Sequence, residues 1–140
     1  MSRLGRRLAF DYGDVRIGVA VCDADGILST PLEALASKHP ALISAIKDLV
    51  SEYEPVRIYV GEPLNLSGEP SESSVKARAF AQLLQSHVKC EVQMVDERLT
   101  TVSAASRLSE AGVSAKDQRK KIDSAAAVAI LENGIARERG

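Results

Sequence analysis

Short apolar runs open the chain, and helical spacing takes over after residue 40. Arg7 to Asp11 (Arg-Leu-Ala-Phe-Asp) and Arg16 to Cys22 (Arg-Ile-Gly-Val-Ala-Val-Cys) flank Tyr12-Gly13-Asp14-Val15, the pattern of a hairpin. Asp23-Ala24-Asp25-Gly26 is a second turn. Ile27 to Leu35 follows as a third extended segment, and its Pro31, which has no amide proton to donate, assigns it to a sheet edge. From Pro40 the period lengthens: Leu42, Ile46, Leu49, Val50 and Tyr53 share one helical face, and Pro55 ends the helix. Val56 to Val60 is a fourth strand, and Gly61 to Ser71, rich in Gly, Pro, Ser and Asn, is loop. Val75, Ala79 and Leu83 mark a second helix, and Glu91 to Val95 a fifth strand. Thr100 to Ala111 reads as a third helix stopped at Gly112, and Ile122 to about Arg137 as an Ala-rich fourth, with Ile122, Ala126, Ala129 and Ile130 as its apolar stripe.

The order βββαβαβα is a meander followed by two strands reached through helices, hence an α/β fold built on a five-stranded mixed sheet flanked by helices. Helical crossovers require parallel strands and right-handed connections. Strands 1, 4 and 5 are then parallel neighbours. Asp11, Gly61 and the Asp96-Glu97 pair leave the sheet together beside the strands' carboxyl ends, where open α/β sheets place ligands. No repeat or linker interrupts the 140 residues, so a single domain, 1–140, is expected.

Composition narrows the function classes. With 45% hydrophobic and 26% charged residues and no apolar run near the roughly 18 residues that suggest a span, no membrane role is expected. The basic start, Met1 to Arg7, leads into an apolar stretch that Asp11 interrupts rather than into a secretory segment, so the expected location is cytoplasmic. Cys22 and Cys90, with no C-x-x-C, make neither a zinc site nor a disulfide framework by themselves. A net charge of −1 argues against a uniformly basic polyanion binder, but the charges are segregated. Residues 8 to 75 carry four basic and eleven acidic side chains, whereas 98 to 121 carry six basic and two acidic. Such a molecule can gather cations with one part and phosphates with another, although a solvated charged face is the commoner origin of charge runs.

The carboxylates carry the candidate chemistry. Asp11 ends strand 1, Glu97 lies just past strand 5, and Asp123 sits in the first turn of the last helix, which must pack back on the sheet. Converging carboxylates repel unless a cation lies among them, and hard oxygen donors suit Mg2+ or Mn2+. Phosphodiester hydrolysis is the chemistry this supports, because two such ions about 3.5 to 4 Å apart activate water and stabilise the leaving oxygen without a catalytic histidine. His39 and His87 flank helices and read as surface residues. Each carboxylate also has a plainer reading, as a turn, N-cap or helix-dipole residue. Asp14, Asp23, Asp25 and Asp96 fit turn chemistry better than ligation. Arg98, Arg119, Lys120 and Lys121 are candidate phosphate contacts, or solvated charges. In the loop after strand 4, Gly61 and Gly68 permit close approach or positive φ, and the Asn65 amide can donate to a phosphate oxygen.

Four ordered motifs carry a resemblance. They are Leu8-Ala9-Phe10-Asp11-Tyr12-Gly13 with Arg16-Ile17-Gly18-Val19-Ala20; Val60-Gly61-Glu62-Pro63-Leu64-Asn65 with Gly68; Asp96-Glu97-Arg98-Leu99-Thr100-Thr101; and Lys121-Ile122-Asp123-Ser124-Ala125-Ala126. Together they resemble the YqgF/RuvX family over nearly the whole chain. The resemblance implies an RNase H-like fold and a bacterial nuclease, of a family described both as Holliday-junction resolvases and as enzymes processing the 5′ end of pre-16S rRNA. It implies that Asp11, Glu97 and Asp123 are the metal-binding acidic residues, with Mg2+ or Mn2+ as cofactor and structured RNA or branched DNA as partner; a homodimer is left open. Glu62 departs from the family's usual apolar residue and is expected to add negative charge near the site.

Two other functions compete. Asp-x-Gly before a hairpin also opens the phosphate-binding domains of actin-like and sugar-kinase ATPases, but those clamp nucleotide between two such domains and this length supplies one. A non-catalytic nucleic-acid-binding or ribosome-assembly factor needs only the basic segments. Metal-dependent cleavage separates the nuclease from the latter, and ATP hydrolysis separates both from the former.

Overall fold

Residues 5–64, 67–97 and 124–139 are described by the computed structural model. They form β1 (Arg7–Tyr12), β2 (Arg16–Cys22), β3 (Ser29–Ala36), α1 (Leu42–Tyr53), β4 (Arg57–Glu62), α2 (Glu72–His87), β5 (Glu91–Asp96) and α3 (Ala125–Arg139). The helix expected over Thr100 to Ala111 lies outside the described residues. The sheet order is β3-β2-β1-β4-β5. β2 is antiparallel to both β1 and β3, while β1, β4 and β5 are parallel. The expected meander and parallel trio are both present, with Pro31 on the edge strand.

Successive strand residues point to opposite faces, and both faces of this sheet are covered. Leu8, Phe10, Ile17, Val19, Ile58 and Val60 pack toward α1 and α2, against Ile46, Ala77, Phe80 and Leu84. Ala9, Ala20, Cys22, Tyr59 and Val95 pack toward α3, against Ala127, Val128, Ile130 and Leu131. The result is three layers, with Ala9 and Ala20 beside the large Tyr59 opposite α3 and mostly larger aliphatic and aromatic residues opposite α1 and α2. Cys22 and Cys90 are free thiols.

Three local readings change. The third strand begins at Ser29, because Asp23 Oδ1 accepts from Ile27 N at 2.8 Å and Asp23 N donates to Leu28 O at 3.0 Å. Ile27 and Leu28 therefore belong to the turn, and both are exposed. The second helix buries the other of its two apolar faces: Ser74, Ala77, Phe80, Ala81 and Leu84 are inside, whereas Val75, Ala79 and Leu83 face outward. Phe80 decides the phase by packing edge-on against Phe10, ring centroids 5.9 Å apart, and against Tyr12 at 5.0 Å. In α3, Ala126 faces outward, while its neighbours Ala125 and Ala127 to Leu131 are buried.

α3 is fixed at both ends. Near its C-terminus, Glu138 accepts from Arg7 Nε at 3.1 Å and Arg57 Nη1 at 2.9 Å. Arg7, Arg57 and Glu91 form one row across the sheet, and Arg57 also reaches Glu91 at 3.1 Å. Two arginines side by side repel; Glu138 and Glu91 offset that repulsion. At the other end, Ser124 bonds to the sheet at Val19 and Leu32. In between, Gly134 lets the helix settle on the fully buried Tyr59, since a Cβ there would come within 2.7 Å of the ring.

This close approach yields a prediction against simple propensity. Gly→Ala within a helix ordinarily stabilises by about 1 kcal/mol, but Gly134→Ala is expected to destabilise by about 1–3 kcal/mol through overpacking on Tyr59. Urea unfolding curves give the sign; a gain in stability would show that α3 does not rest on Tyr59 as described.

Candidate active site

The strand alternation that buries Ala9 and Tyr59 against α3 sends Asp11 and Gly61 to the same face, and carries Glu97 there two residues beyond Val95. β4 lies between the strands that bear the two carboxylates. Along the ladders, Phe10 is level with Val60, and Gly61 with Val95. Glu97 reaches Asp11 across the backbone of Gly61. A Cβ on Gly61 would lie 2.9 Å from Glu97 Cγ, 3.0 Å from its Cδ and 2.4 Å from Ile130 Cδ1. Gly18, the ladder partner of Asp11, likewise puts no side chain on that face.

The Asp11 and Glu97 carboxyl groups are half-buried and hydrogen-bonded to each other. Burial pushes the Glu97 carboxyl up to about 8, reinforced by the hydrogen bond to Asp11 and by the charges of Asp11 and Asp96. Burial also raises Asp11, opposed by the hydrogen bond that Glu97 gives it. The pair thus shares a proton, with Glu97 as donor. Two oxygen donors whose negative charges are held together in a partly desolvated corner suit a hard divalent cation, and the proton occupies the role such a cation would take. Among the described residues no group of three or more His, Cys, Asp or Glu is placed to hold a metal.

Of the sequence-derived candidates, Asp11 and Glu97 are brought together. Asp123, Asn65, Arg98, Arg119, Lys120 and Lys121 lie outside the described residues. His39 and His87 are exposed, and Asp23 serves the turn after β2, whose backbone amides hold its carboxyl below the usual carboxylate range. Asp14 pairs with Lys76 at 3.0 Å.

Glu62 does not add its charge to this corner. One residue past Gly61 on β4, it points to the opposite face, where it accepts from Arg78 Nε and from Ser74 Oγ at 3.3 Å. The expectation of an extra negative charge beside the carboxylates is therefore corrected, for the alternation of the strand turns Glu62 toward α2. The same contact ties down the strand exit: Ser71 Oγ donates to Pro63 O at 2.8 Å and accepts from Ser74 N at 3.1 Å as the N-cap of α2. Gly68 adopts φ +87°, as a glycine there permits.

Residues to which the sequence pattern assigns no role are Ser74 and Arg78, which hold Glu62, and Ser124, which is fully buried at the start of α3. Ser124 Oγ accepts from Val19 N at 2.9 Å and donates to Leu32 O at 2.7 Å. The sequence pattern begins the last helix at Ile122, which puts Ser124 inside it, so nothing in that pattern marks this longer-range bond.

Two predictions test the carboxylate pair. The folded chain holds the Glu97 proton up to about pH 8, while the unfolded chain releases it near 4.5, so the folded state binds more protons between these values. Stability without divalent cations should therefore be greatest below pH 4.5 as far as Glu97 contributes, and fall as pH rises to about 8. Thermal unfolding of the parent and Glu97→Gln across that window should show the parent losing Tm relative to the variant; parallel profiles would contradict the shared proton. Second, Gly61→Ala should destabilise by about 1–3 kcal/mol and return the Glu97 carboxyl toward the ordinary carboxylate range, as read by carboxyl-carbon NMR titration.

Known proteins resemble this chain in sequence and in fold. A family model described as "RuvX: Holliday junction resolvase" matches residues 5–137. A protein of Streptomyces avermitilis named "Putative pre-16S rRNA nuclease" is 48% identical over 139 residues, covering 98% of this chain and 89% of its own. One of the same name from Rhodococcus opacus is 50% identical over 137 residues, covering 94% and 77%. In fold, the chain is similar to T. thermophilus RuvC in complex with a Holliday junction substrate (TM-score 0.59, 14% identity, 97% of this chain and 96% of that one). It is also similar to the yeast mitochondrial Holliday junction resolvase Ydc2 (TM-score 0.52, 10% identity, 99% and 82%). The fold is RNase H-like, and the chain belongs to the RuvX family.

Proposed function

We propose that the chain is a metal-dependent endonuclease that hydrolyses phosphodiester bonds in structured nucleic acid, either the 5′ region of pre-16S rRNA or a branched DNA junction, in the cytoplasm. The observation that carries this reading is the meeting of Asp11 and Glu97 across the bare backbone of Gly61, where the two carboxyls share a proton. Asp11, Glu97 and Asp123 are the residues proposed to hold Mg2+ or Mn2+. A divalent cation supplies Lewis acidity and a nucleophile at neutral pH without a catalytic histidine, in keeping with the exposed positions of His39 and His87.

The protein's own groups divide the remaining work. Glu97 must give up its proton for the pair to act as a dianionic donor set, so divalent-cation affinity should rise with pH. Asn65, in the loop leaving the strand that separates the carboxylates, is proposed to donate its amide to a phosphate oxygen. Arg98, Arg119, Lys120 and Lys121 are proposed to contact backbone phosphates, which positions the substrate without reading its sequence.

Labelled four-way DNA junctions and precursor rRNA, incubated with Mg2+, Mn2+ or chelator, test the reading directly. Asp11→Asn, Glu97→Gln and Asp123→Asn should each lower cleavage by more than about 100-fold while the chain stays folded, because each removes a charged ligand at little steric change. A triple variant that cleaved at the parental rate under matched metal would end the assignment. Lys120→Ala with Lys121→Ala should weaken binding evenly across sequences and reduce the salt slope by about 1 to 2. An unchanged slope would remove these lysines from the interface.

A further inference from the structure

We propose that the tip of the β1–β2 hairpin is a second nucleic-acid contact, in which Arg16, Lys38 and Lys76 hold backbone phosphates beside the carboxylate site and Asp14 keeps Lys76 in place until a phosphate replaces it. The inference rests on the nuclease reading and deepens it by naming where, among the described residues, the phosphate backbone is held.

The tip lies at the site's end of the sheet. β1, β4 and β5 are parallel, and β3 runs the same way because both it and β1 are antiparallel to β2. The carboxyl ends of β1 and β3 therefore share the edge at which Asp11 and Glu97 meet. Asp11 and Tyr12 end the β1–β2 ladder opposite Gly18 and Ile17, and the chain turns over Gly13 to Val15. Asp14 is three residues from Asp11, a reach of at most about 11 Å. Charges repeat roughly every 3.4 Å of axis along each strand of a duplex, so a strand lying over the carboxylates passes the tip within about three phosphates.

The tip is braced from two sides. Ser37, just past β3, donates its amide to Val15 O at 2.9 Å and its hydroxyl to Gly13 O. From α2, Lys76 Nζ reaches both carboxylate oxygens of Asp14, at 3.0 and 3.2 Å. Gly13 keeps the turn tight, since a Cβ there would lie 2.6 Å from Arg16 O. On this frame Asp14, Val15, Arg16, Lys38 and Lys76 are all exposed. Cations thus stand on three sides: Arg16 in the tip, Lys38 next to the Ser37 brace, and Lys76 on the α2 flank. The carboxylate pair repels a polyanion, and cations beside it offset that repulsion while reading no sequence. An ion pair between exposed side chains is weak, so a phosphate displaces Asp14 from Lys76 at little cost.

The test is equilibrium binding of the full chain to a labelled four-way DNA junction and to a labelled precursor rRNA, in Ca2+ and over a range of salt. The chains compared are the parent, Lys38→Gln, Lys76→Gln, Asp14→Asn, Asp14→Asn with Lys76→Gln, and Lys89→Gln. Lys89, between α2 and β5, is exposed at the opposite end of the sheet and controls for net charge. Lys38→Gln and Lys76→Gln should each weaken binding about 3- to 10-fold and lower the salt slope by about 1, whereas Lys89→Gln should bind like the parent. Asp14→Asn should tighten binding about 2- to 5-fold, and the gain should vanish when Lys76 is also replaced, the coupling expected of a direct pair. The nucleic acid on which these effects appear is the one the tip holds. Either lysine variant binding like Lys89→Gln would overturn the proposal. So would an Asp14→Asn chain that binds no tighter than the parent, or whose gain survives Lys76→Gln. A parent that binds neither nucleic acid would overturn the nuclease reading itself, and this contact with it.

Discussion

The site depends on an empty position. β1 and β5 are not neighbours; β4 runs between them, and any side chain at residue 61 would stand where Glu97 lies. Only a glycine lets the carboxyl cross one strand and reach Asp11. The same gap admits Ile130 of α3, whose Cδ1 also occupies the space a Cβ would need. A single missing side chain thus sets both the carboxylate contact and the seating of the helix above it.

The rest of the fold resists the strain that this contact creates. Placing two carboxyls together in a half-buried corner opposes folding once both ionise, and burial first, then the hydrogen bond to Asp11 and the charges of Asp11 and Asp96, raise the proton affinity of Glu97. It is countered by a helix held at both ends. At the start of the parallel strands, Glu138 settles between Arg7 and Arg57. Near the strands' carboxyl ends, Ser124 enters the β2–β3 bulge. α3 therefore runs back along the sheet with both ends anchored and with Ala9, Ala20 and Tyr59 beneath it.

Much of this was legible in the chain, for physical reasons that also mark where legibility stopped. Alternation along a strand is local, so the strands and helical crossovers could be read, and with them the meeting of Asp11, Gly61 and Glu97. The phase of α2 could not, because apolar residues lie on two of its faces, and the choice between Val75, Ala79 and Leu83 and the set containing Phe80 is made by Phe10 and Tyr12, some seventy residues away in sequence. Closeness in sequence to Gly61 suggests that Glu62 neighbours the carboxylates, but adjacent strand residues point to opposite faces. The alternation that places Gly61 at the site necessarily turns Glu62 from it. Ser124 is silent for another reason: its partners are backbone groups freed by a bulge, and neither a bulge nor a backbone partner has a residue type that announces it.

The two faces of β4 consequently divide the roles of adjacent residues. Toward α3, Gly61 keeps space for an acidic pair whose charge needs a cation. Toward α2, Glu62 is neutralised within the fold by Arg78 and Ser74, and the Ser71–Pro63 bond holds the strand exit against the N-terminus of α2. Replacing Glu62 by an apolar residue would therefore not lower the negative potential at Asp11 and Glu97. It would release Arg78 and loosen the base of the loop that leads to Asn65. Charge at the site and order at its mouth are thus controlled by neighbouring residues on opposite sides of one strand, and each can be altered without directly removing a side chain the other uses.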